Sequence, residues 1–120
     1  MPRLLMISFN NAKPGRDDDF NRWYDEQHLR DVLGVKHFVS AQRFCIDPAA
    51  GGASFAFGYM TIFEVDSDDI PALTAALAER SGTDLMPLTD AMTDQRLRLW
   101  AAPIGLEEAS TSRTNPHSAL

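Results

Sequence analysis

Aromatic and ionisable side chains recur at helical spacing between residues 20 and 31. A helix used only for packing would continue such a stripe with aliphatic side chains. Buried polar groups are costly unless they are satisfied, so they usually have a purpose. The pattern indicates a helix that closes a pocket, with His28 performing chemistry in it. At about 100° per residue, one helix face carries Phe20, Trp23, Tyr24, Gln27, His28 and Asp31.

His28 is the predicted acid–base group of this pocket. An imidazole with an ordinary pKa near 6.5 exchanges protons readily at neutral pH. Asp31 lies on the same face and could orient His28 or raise its basicity. Tyr24, one turn earlier, could donate a hydrogen bond to a substrate oxyanion. The structural alternatives are a core histidine bonded to a backbone carbonyl, a solvated aspartate and a packing tyrosine.

Trp23, Asn10, His37 and Arg43 are candidates for substrate binding. Trp23 would line the pocket, and Asn10, at the end of a strand, could offer its amide to a substrate oxygen or cap a turn. His37 and Arg43 lie an even number of residues apart in one predicted strand, so they face the same side. On the pocket side, Arg43 could hold a carboxylate through two hydrogen bonds. On the dimer side, which we favour for Arg43, that arginine would form an interfacial ion pair. For His37 the pattern favours neither side.

The other chemistry-bearing residues form no recognisable site. Cys45 is the single cysteine, which excludes an internal disulfide and a thiolate metal cluster, and no base is placed to make it a nucleophile. The histidines lack a compact spacing such as His-x-x-x-His, so no metal is expected. Gly51-Gly52 precedes no helix and is not a phosphate loop, and His117 falls in a polar tail.

Composition narrows the class of protein. Asp and Glu number 17 against 11 Lys and Arg, a formal net charge of -6 that disfavours nucleic acid as a partner. No apolar run is long enough for a membrane span, and that at Met1–Ser8 suits a strand better than a signal peptide. A lone cysteine favours a reducing compartment, so we expect a cytoplasmic protein.

The pattern predicts an α+β chain of order β-α-β-β-α-β, the ferredoxin-like arrangement of an antiparallel four-stranded sheet. Residues 1–105 would form one domain and residues 106–120 a polar tail, either disordered or packed on a partner. Residues 83–93 are ambiguous between a loop and a short helix broken at Pro87. One of the aspartates at 17–19 is expected to cap the first helix. The predicted elements are strands Arg3–Asn10, His37–Ile46, Phe55–Val65 and Gln95–Ala102, and helices from Asp17–Asp19 to Leu33 and from the Asp66–Asp69 cap to Ser81.

A face of this sheet is left without helices. Two helices cover only one face of four strands, and the other, rich in aromatic and aliphatic residues, must be buried elsewhere. A symmetric homodimer with its sheets face to face is the simplest solution.

Three stretches of the first 45 residues form a recognisable pattern: Lys13-Pro14-Gly15, Phe20–Leu29 with its Trp-Tyr-x-x-x-His spacing, and Gly34-Val35 followed by Phe38–Phe44. Together they resemble the EthD-like group within the dimeric α+β barrel superfamily. The resemblance implies a ferredoxin-like protomer, a dimeric barrel and a pocket between sheet and helices. Most relatives act on small aromatic or unsaturated acids without a metal or organic cofactor.

The resemblance also assigns residues. The family's helix histidine maps onto His28, and its aromatic neighbours map onto Trp23 and Tyr24. Lys36-His37 departs from the Pro-Gly pair that members often carry before the second strand.

The leading hypothesis is a cofactor-independent isomerase or lyase acting on a small aromatic or unsaturated carboxylic acid or lactone in catabolism. Both reactions need only a positioned acid–base group. One alternative is cofactor-free oxygenation of a phenol, which oxygen uptake would reveal. Another is a dimer that binds a small molecule or a protein without converting it, in which case binding would not depend on His28.

Overall fold

The chain folds in the predicted order of elements. The computed structural model describes residues 3–47 and 55–111. No helix in these ranges is long and apolar enough to cross a membrane. The elements are β1 (Leu4–Ala12), α1 (Asp17–Trp23), a π-helical turn (Tyr24–His28), α2 (Leu29–Leu33), β2 (Phe38–Cys45), β3 (Tyr59–Val65), α3 (Ile70–Arg80) and β4 (Met92–Ala101). Since α1, the π-helical turn and α2 follow without a break, we call them together the first helix.

The strands form one antiparallel sheet in the order β2-β3-β1-β4. Directly paired residues of antiparallel strands lie on the same face, so the register defines rows of side chains across the sheet. The first helix and α3 pack on one face, where burial of apolar side chains stabilises the fold. The core there includes Met6, Phe63, Val32, Leu73 and Leu77.

The opposite face of the sheet, called the outer face below, carries mostly apolar side chains, together with Gln42 and Glu64. Phe44, Leu97 and Leu99 are 37, 38 and 44% exposed on it. Residues of the same chain cover part of this face, because the rings of Phe55 and Phe57 pack against Phe9. The helices therefore cover one face only, as the sequence predicted. Two rows cross all four strands there: Phe44, Met60, Phe9 and Leu97, then Gln42, Ile62, Ile7 and Leu99.

Strand boundaries differ from the sequence prediction. β2 begins at Phe38 because His37 adopts a left-handed backbone with φ 79°, and the register against β3 shifts between Phe38 and Ser40. β3 begins at Tyr59, later than predicted, and β4 begins at Met92, earlier than predicted. The shift in β2 matters for function because it separates His37 from the pleat of the strand.

The helix caps are partly as predicted. Asp69 caps α3, its carboxylate accepting the backbone N–H of Ala72 at 3.1 Å, and Pro71 lies in the first turn. The first helix differs, since its N-cap is Arg16 and no side chain caps it. The aspartates at 17–19 instead occupy its first turn, where their charge favours the positive end of the helix dipole.

The segment between α3 and β4 is a loop of turns rather than a short helix. Met86 of this loop is buried in the core, which fixes the loop beside the first helix. After β4, residues 102–111 lack regular strands, and Leu106 is 93% exposed. The rest of the predicted tail, with His117, and residues 48–54, with Gly51 and Gly52, lie outside the described residues.

Candidate active site

The first helix changes its hydrogen bonding where the predicted catalytic residues lie. The backbone N–H of Leu29 donates to the carbonyl of Tyr24, which defines a π-helical turn. Such turns are rare and occur frequently at functional sites. On a regular α-helix, Trp23 and His28 would point about 140° apart. Here their rings stack, with centroids 4.4 Å apart and an interplanar angle of 20°, because the turn is widened.

Two aromatic rings hold the imidazole of His28. Trp23 stacks on it, and Tyr24 meets it edge-on with centroids 4.8 Å apart. Trp23 is itself fixed, because its Nε1–H donates to the carbonyl of Pro87 at 3.2 Å. Nδ1 of His28 is buried and has no hydrogen-bond partner in the described part of the chain. A buried polar atom without a protein partner is uncommon, and it can bond to a ligand or to a water molecule.

A cavity of about 670 Å³ lies between the sheet, the first helix and α3. Its volume suits a small organic molecule. The polar groups that converge on it come from β1, the first helix and β4, and the loop before β4 adds an apolar side. The lining residues include Ser8, Asn10, Trp23, Tyr24, His28, Met86, Leu88, Arg96 and Arg98.

His28 is a neutral imidazole at neutral pH. Burial lowers its pKa from 6.5 to about 4, because a low-dielectric site disfavours the charged form. The carboxylate of Asp31 opposes this effect, whereas the charges of Arg98 and Arg43 add to it. His28 can therefore accept a proton at neutral pH, but the protonated form needed for a general acid is scarce.

Tyr24 supplies a neutral phenol beside His28. It is 3% exposed, and burial raises its pKa above the ordinary value. Thr61, Arg43 and Arg98 act in the opposite direction and more weakly. Because the O–H remains protonated, Tyr24 can donate a hydrogen bond to negative charge that develops on a substrate oxygen.

Arg43 lies on the helix-covered face, so the interpretation that places it on the dimer side is wrong. Its guanidinium carbon is 4.4 Å from the ring centroid of Tyr24. Nη1 donates to Asp25 at 2.8 Å and Nη2 donates to Asn21 at 2.9 Å, and the side chain is 12% exposed. These contacts tie the first helix to the sheet. Substrate binding by Arg43 stays a prediction that none of these contacts supports.

Asp31 acts on His28 through its charge alone. Its carboxylate accepts a hydrogen bond from Gln27 at 3.2 Å, and no hydrogen bond joins it to His28. Gln27 is exposed rather than part of the inner face. Asn10 is 7% exposed and lines the cavity, where its amide can contact a ligand.

His37 lies away from His28. It lines a separate groove of about 710 Å³ with residues of α3. Its Nδ1 is 2.8 Å from a carboxylate oxygen of Asp66. His37 and Arg43 therefore do not share a site. The left-handed backbone of His37 and the register shift at the start of β2 break the strand alternation on which the prediction relied.

The sequence reasoning missed the part of the cavity that β4 forms. Arg98 pairs with Ser8 and Arg96 pairs with Asn10 across β1, which places both arginines on the helix-covered face. The alternation Arg96-Leu97-Arg98 was the signal for a shared face, but nothing in the sequence showed that this face meets His28. Among the described residues, no cluster of His, Cys, Asp and Glu is arranged to hold a metal ion.

Comparison with known proteins shows the fold. No protein-family model matches the chain, and no curated protein matches it. Among solved structures, the haem-degrader MhuD from Mycobacterium tuberculosis, with two haems in its active site, is 15% identical with a TM-score of 0.58 over 88% of this chain and 99% of its own. An EthD-like protein from Ralstonia eutropha is 16% identical with a TM-score of 0.55 over 85% and 92%.

A DABB family protein with a ferredoxin-like fold from Mesorhizobium loti is 10% identical, with a TM-score of 0.55 over 88% of this chain and all of its own. This protein therefore has the ferredoxin-like α+β fold. The resemblance to EthD-like proteins is confirmed as a resemblance of fold.

Proposed function

We propose that this protein is a cofactor-independent acid–base enzyme, an isomerase or lyase for a small aromatic or unsaturated carboxylic acid or lactone of a catabolic route. The observation that carries the proposal is His28, a neutral imidazole with an unpartnered buried Nδ1 at a cavity of about 670 Å³. Stacking on Trp23 fixes the orientation of this base, and fixed orientation is a large part of what an enzyme contributes.

In this mechanism His28 takes a proton from a carbon next to a carbonyl or carboxyl group. The phenol of Tyr24 and the amide of Asn10 stabilise the enolate oxygen. The imidazolium that forms is itself unfavourable in this site, so it returns the proton readily. In an isomerase the proton goes to another carbon of the same intermediate. In a lyase the enolate expels a leaving group, and the imidazolium gives its proton to that group or to water.

We propose further that the protein works as a homodimer that buries the outer face. The support is the two rows that cross all four strands, in which every side chain except that of Gln42 is apolar, with Leu99 44% exposed. Contiguous apolar surface of this kind marks interaction sites. A second copy of the same sheet is complementary to it by symmetry.

The test of the catalytic proposal is deuterium incorporation into candidate acids and lactones in heavy water, followed by mass spectrometry. The assay reports proton abstraction even where no net product accumulates. We expect His28→Asn to lower the rate of incorporation by about 100-fold or more. The matched control is His37→Asn, which lies in the other groove and is expected to keep the wild-type rate. Equal rates in all three proteins would contradict the proposal.

Haem binding is a second candidate, since MhuD degrades haem and a neutral imidazole is the form that ligates iron. His28 would ligate the iron, and Arg96 and Arg98 would face the propionates. Haem would supply redox chemistry at this site. Titration with haemin separates the candidates: a Soret shift lost in His28→Asn favours haem, and an unchanged spectrum favours the acid–base enzyme.

A further inference from the structure

We propose that Arg96 and Arg98 form a carboxylate-recognition site inside the His28 cavity. The substrate would then be an organic anion whose carboxylate lies against β4 and whose reacting carbon lies beside His28. The proposal rests on the proposed function and deepens it, because it names the charge of the substrate and the residues that read it.

The backbone places the two arginines on the same face of β4. Arg96 and Arg98 are alternate residues of β4, so they share a face and their Cα atoms are about 7 Å apart. Their paired residues in the neighbouring strand β1 are Asn10 for Arg96 and Ser8 for Arg98, which add an amide and a hydroxyl to the site. All four residues line the cavity together with His28. A carboxylate bound there has charged donors on one side and neutral donors on the other.

The charges of these arginines are not balanced within the described chain. Arg3, Arg16 and Arg43 each pair with a carboxylate at 2.8–3.0 Å. Neither Arg96 nor Arg98 has such a partner in the ranges that the structure describes, although the chain carries a net charge of -6.

The two charges also oppose each other. Burial lowers the pKa of Arg98; the nearby Tyr24 opposes this effect, and the charge of Arg96 adds to it more weakly. Both side chains nevertheless stay accessible, as a ligand site requires. Like charges held together in this way are unfavourable, and a bound anion would offset the repulsion by pairing with both guanidinium groups.

The rest of the cavity favours an organic carboxylate over a bare inorganic anion. Trp23, Met86 and Leu88 give it an apolar side that would contact the body of an unsaturated or aromatic acid. A bound carboxylate would also offset the charge of Arg98, which acts against protonation of His28. The anion therefore makes His28 a stronger base when the substrate is in place.

The experiment is calorimetric titration of the full chain with benzoate and with benzamide, its uncharged counterpart of the same size. We expect benzoate to bind more tightly than benzamide. Arg98→Gln and Arg96→Gln should each weaken benzoate binding by about 10- to 100-fold and leave benzamide nearly unchanged. Arg22→Gln is the matched control, since it removes the same charge from the exposed side of the first helix. Arg98→Lys keeps the charge and should retain part of the preference for benzoate.

Equal losses for benzoate and benzamide, or the same loss in Arg22→Gln, would overturn the site. So would turnover of an uncharged lactone that depends on His28 and not on Arg98, and that result would leave the proposed function standing. Conversely, charge-selective binding lost in Arg98→Gln supports the anion site, even where deuterium incorporation fails and the acid–base function is rejected.

Discussion

Protonation of His28 should destabilise the fold at mildly acidic pH. Its pKa is about 4 in the folded protein against 6.5 for an ordinary histidine. The unfolded chain therefore binds the proton first as the pH falls. The stability that depends on neutral His28 is fully present above about pH 6.5 and is lost as the pH falls towards 4.

The magnitude follows from the difference of about 2.5 between the two pKa values. At about 1.4 kcal/mol for each pH unit, the whole effect is worth about 3 kcal/mol. Between about pH 7 and pH 5 it amounts to about 2 kcal/mol, while most carboxylates stay ionised. A loss of this size is a large fraction of the stability of a small domain.

The assay is urea unfolding at the two pH values for the wild type, His28→Asn and His37→Asn. The free energy of unfolding of the wild type should fall by about 2 kcal/mol more than that of His28→Asn. His37→Asn removes an imidazole from the other groove and should leave in place the loss of about 2 kcal/mol that comes from His28. The same fall in His28→Asn as in the wild type would refute the reasoning, because the buried imidazole would then not be the group responsible.

Two further predictions concern the contacts of Arg43 and the outer face of the sheet. Arg43→Lys should lower the free energy of unfolding by about 1–3 kcal/mol, because lysine lacks the planar fork that makes the Asp25 and Asn21 hydrogen bonds over the Tyr24 ring. The control is Arg3→Lys, whose exposed ion pair is expected to contribute about 0.5 kcal/mol or less. Equal losses of stability in the two variants would contradict the structural role of Arg43. Leu99→Asp should give folded monomers, as measured by light scattering, because it puts a charge among the apolar side chains of the outer face. A wild-type protein that is already monomeric at micromolar concentration would contradict the proposed homodimer.

Local signals predicted the fold well. The Asp66–Asp69 cap marked the start of α3, and the predicted strand Phe55–Val65 contains β3. These features depend on neighbours within a turn or a pleat, which a sequence displays directly.

The site was less predictable because it depends on departures from regular geometry. The approach of Trp23 to His28 needs a π-helical turn, which an α-helical projection cannot show. The position of His37 needs a left-handed residue, and the faces of Arg43 and Arg98 needed the register of the sheet. Sequence periodicity gives which residues share a face of one element, and only packing shows what that face meets.

The most direct test of the central claim, that a small carboxylate binds beside a neutral His28 that accepts a proton, is an NMR titration of the histidine imidazoles with and without benzoate. The His28 signals are identified by their loss in His28→Asn. We predict a pKa near 4 in the free protein, and an increase of about one pH unit or more when benzoate is bound. An ordinary pKa near 6.5 that benzoate leaves unchanged would contradict the account.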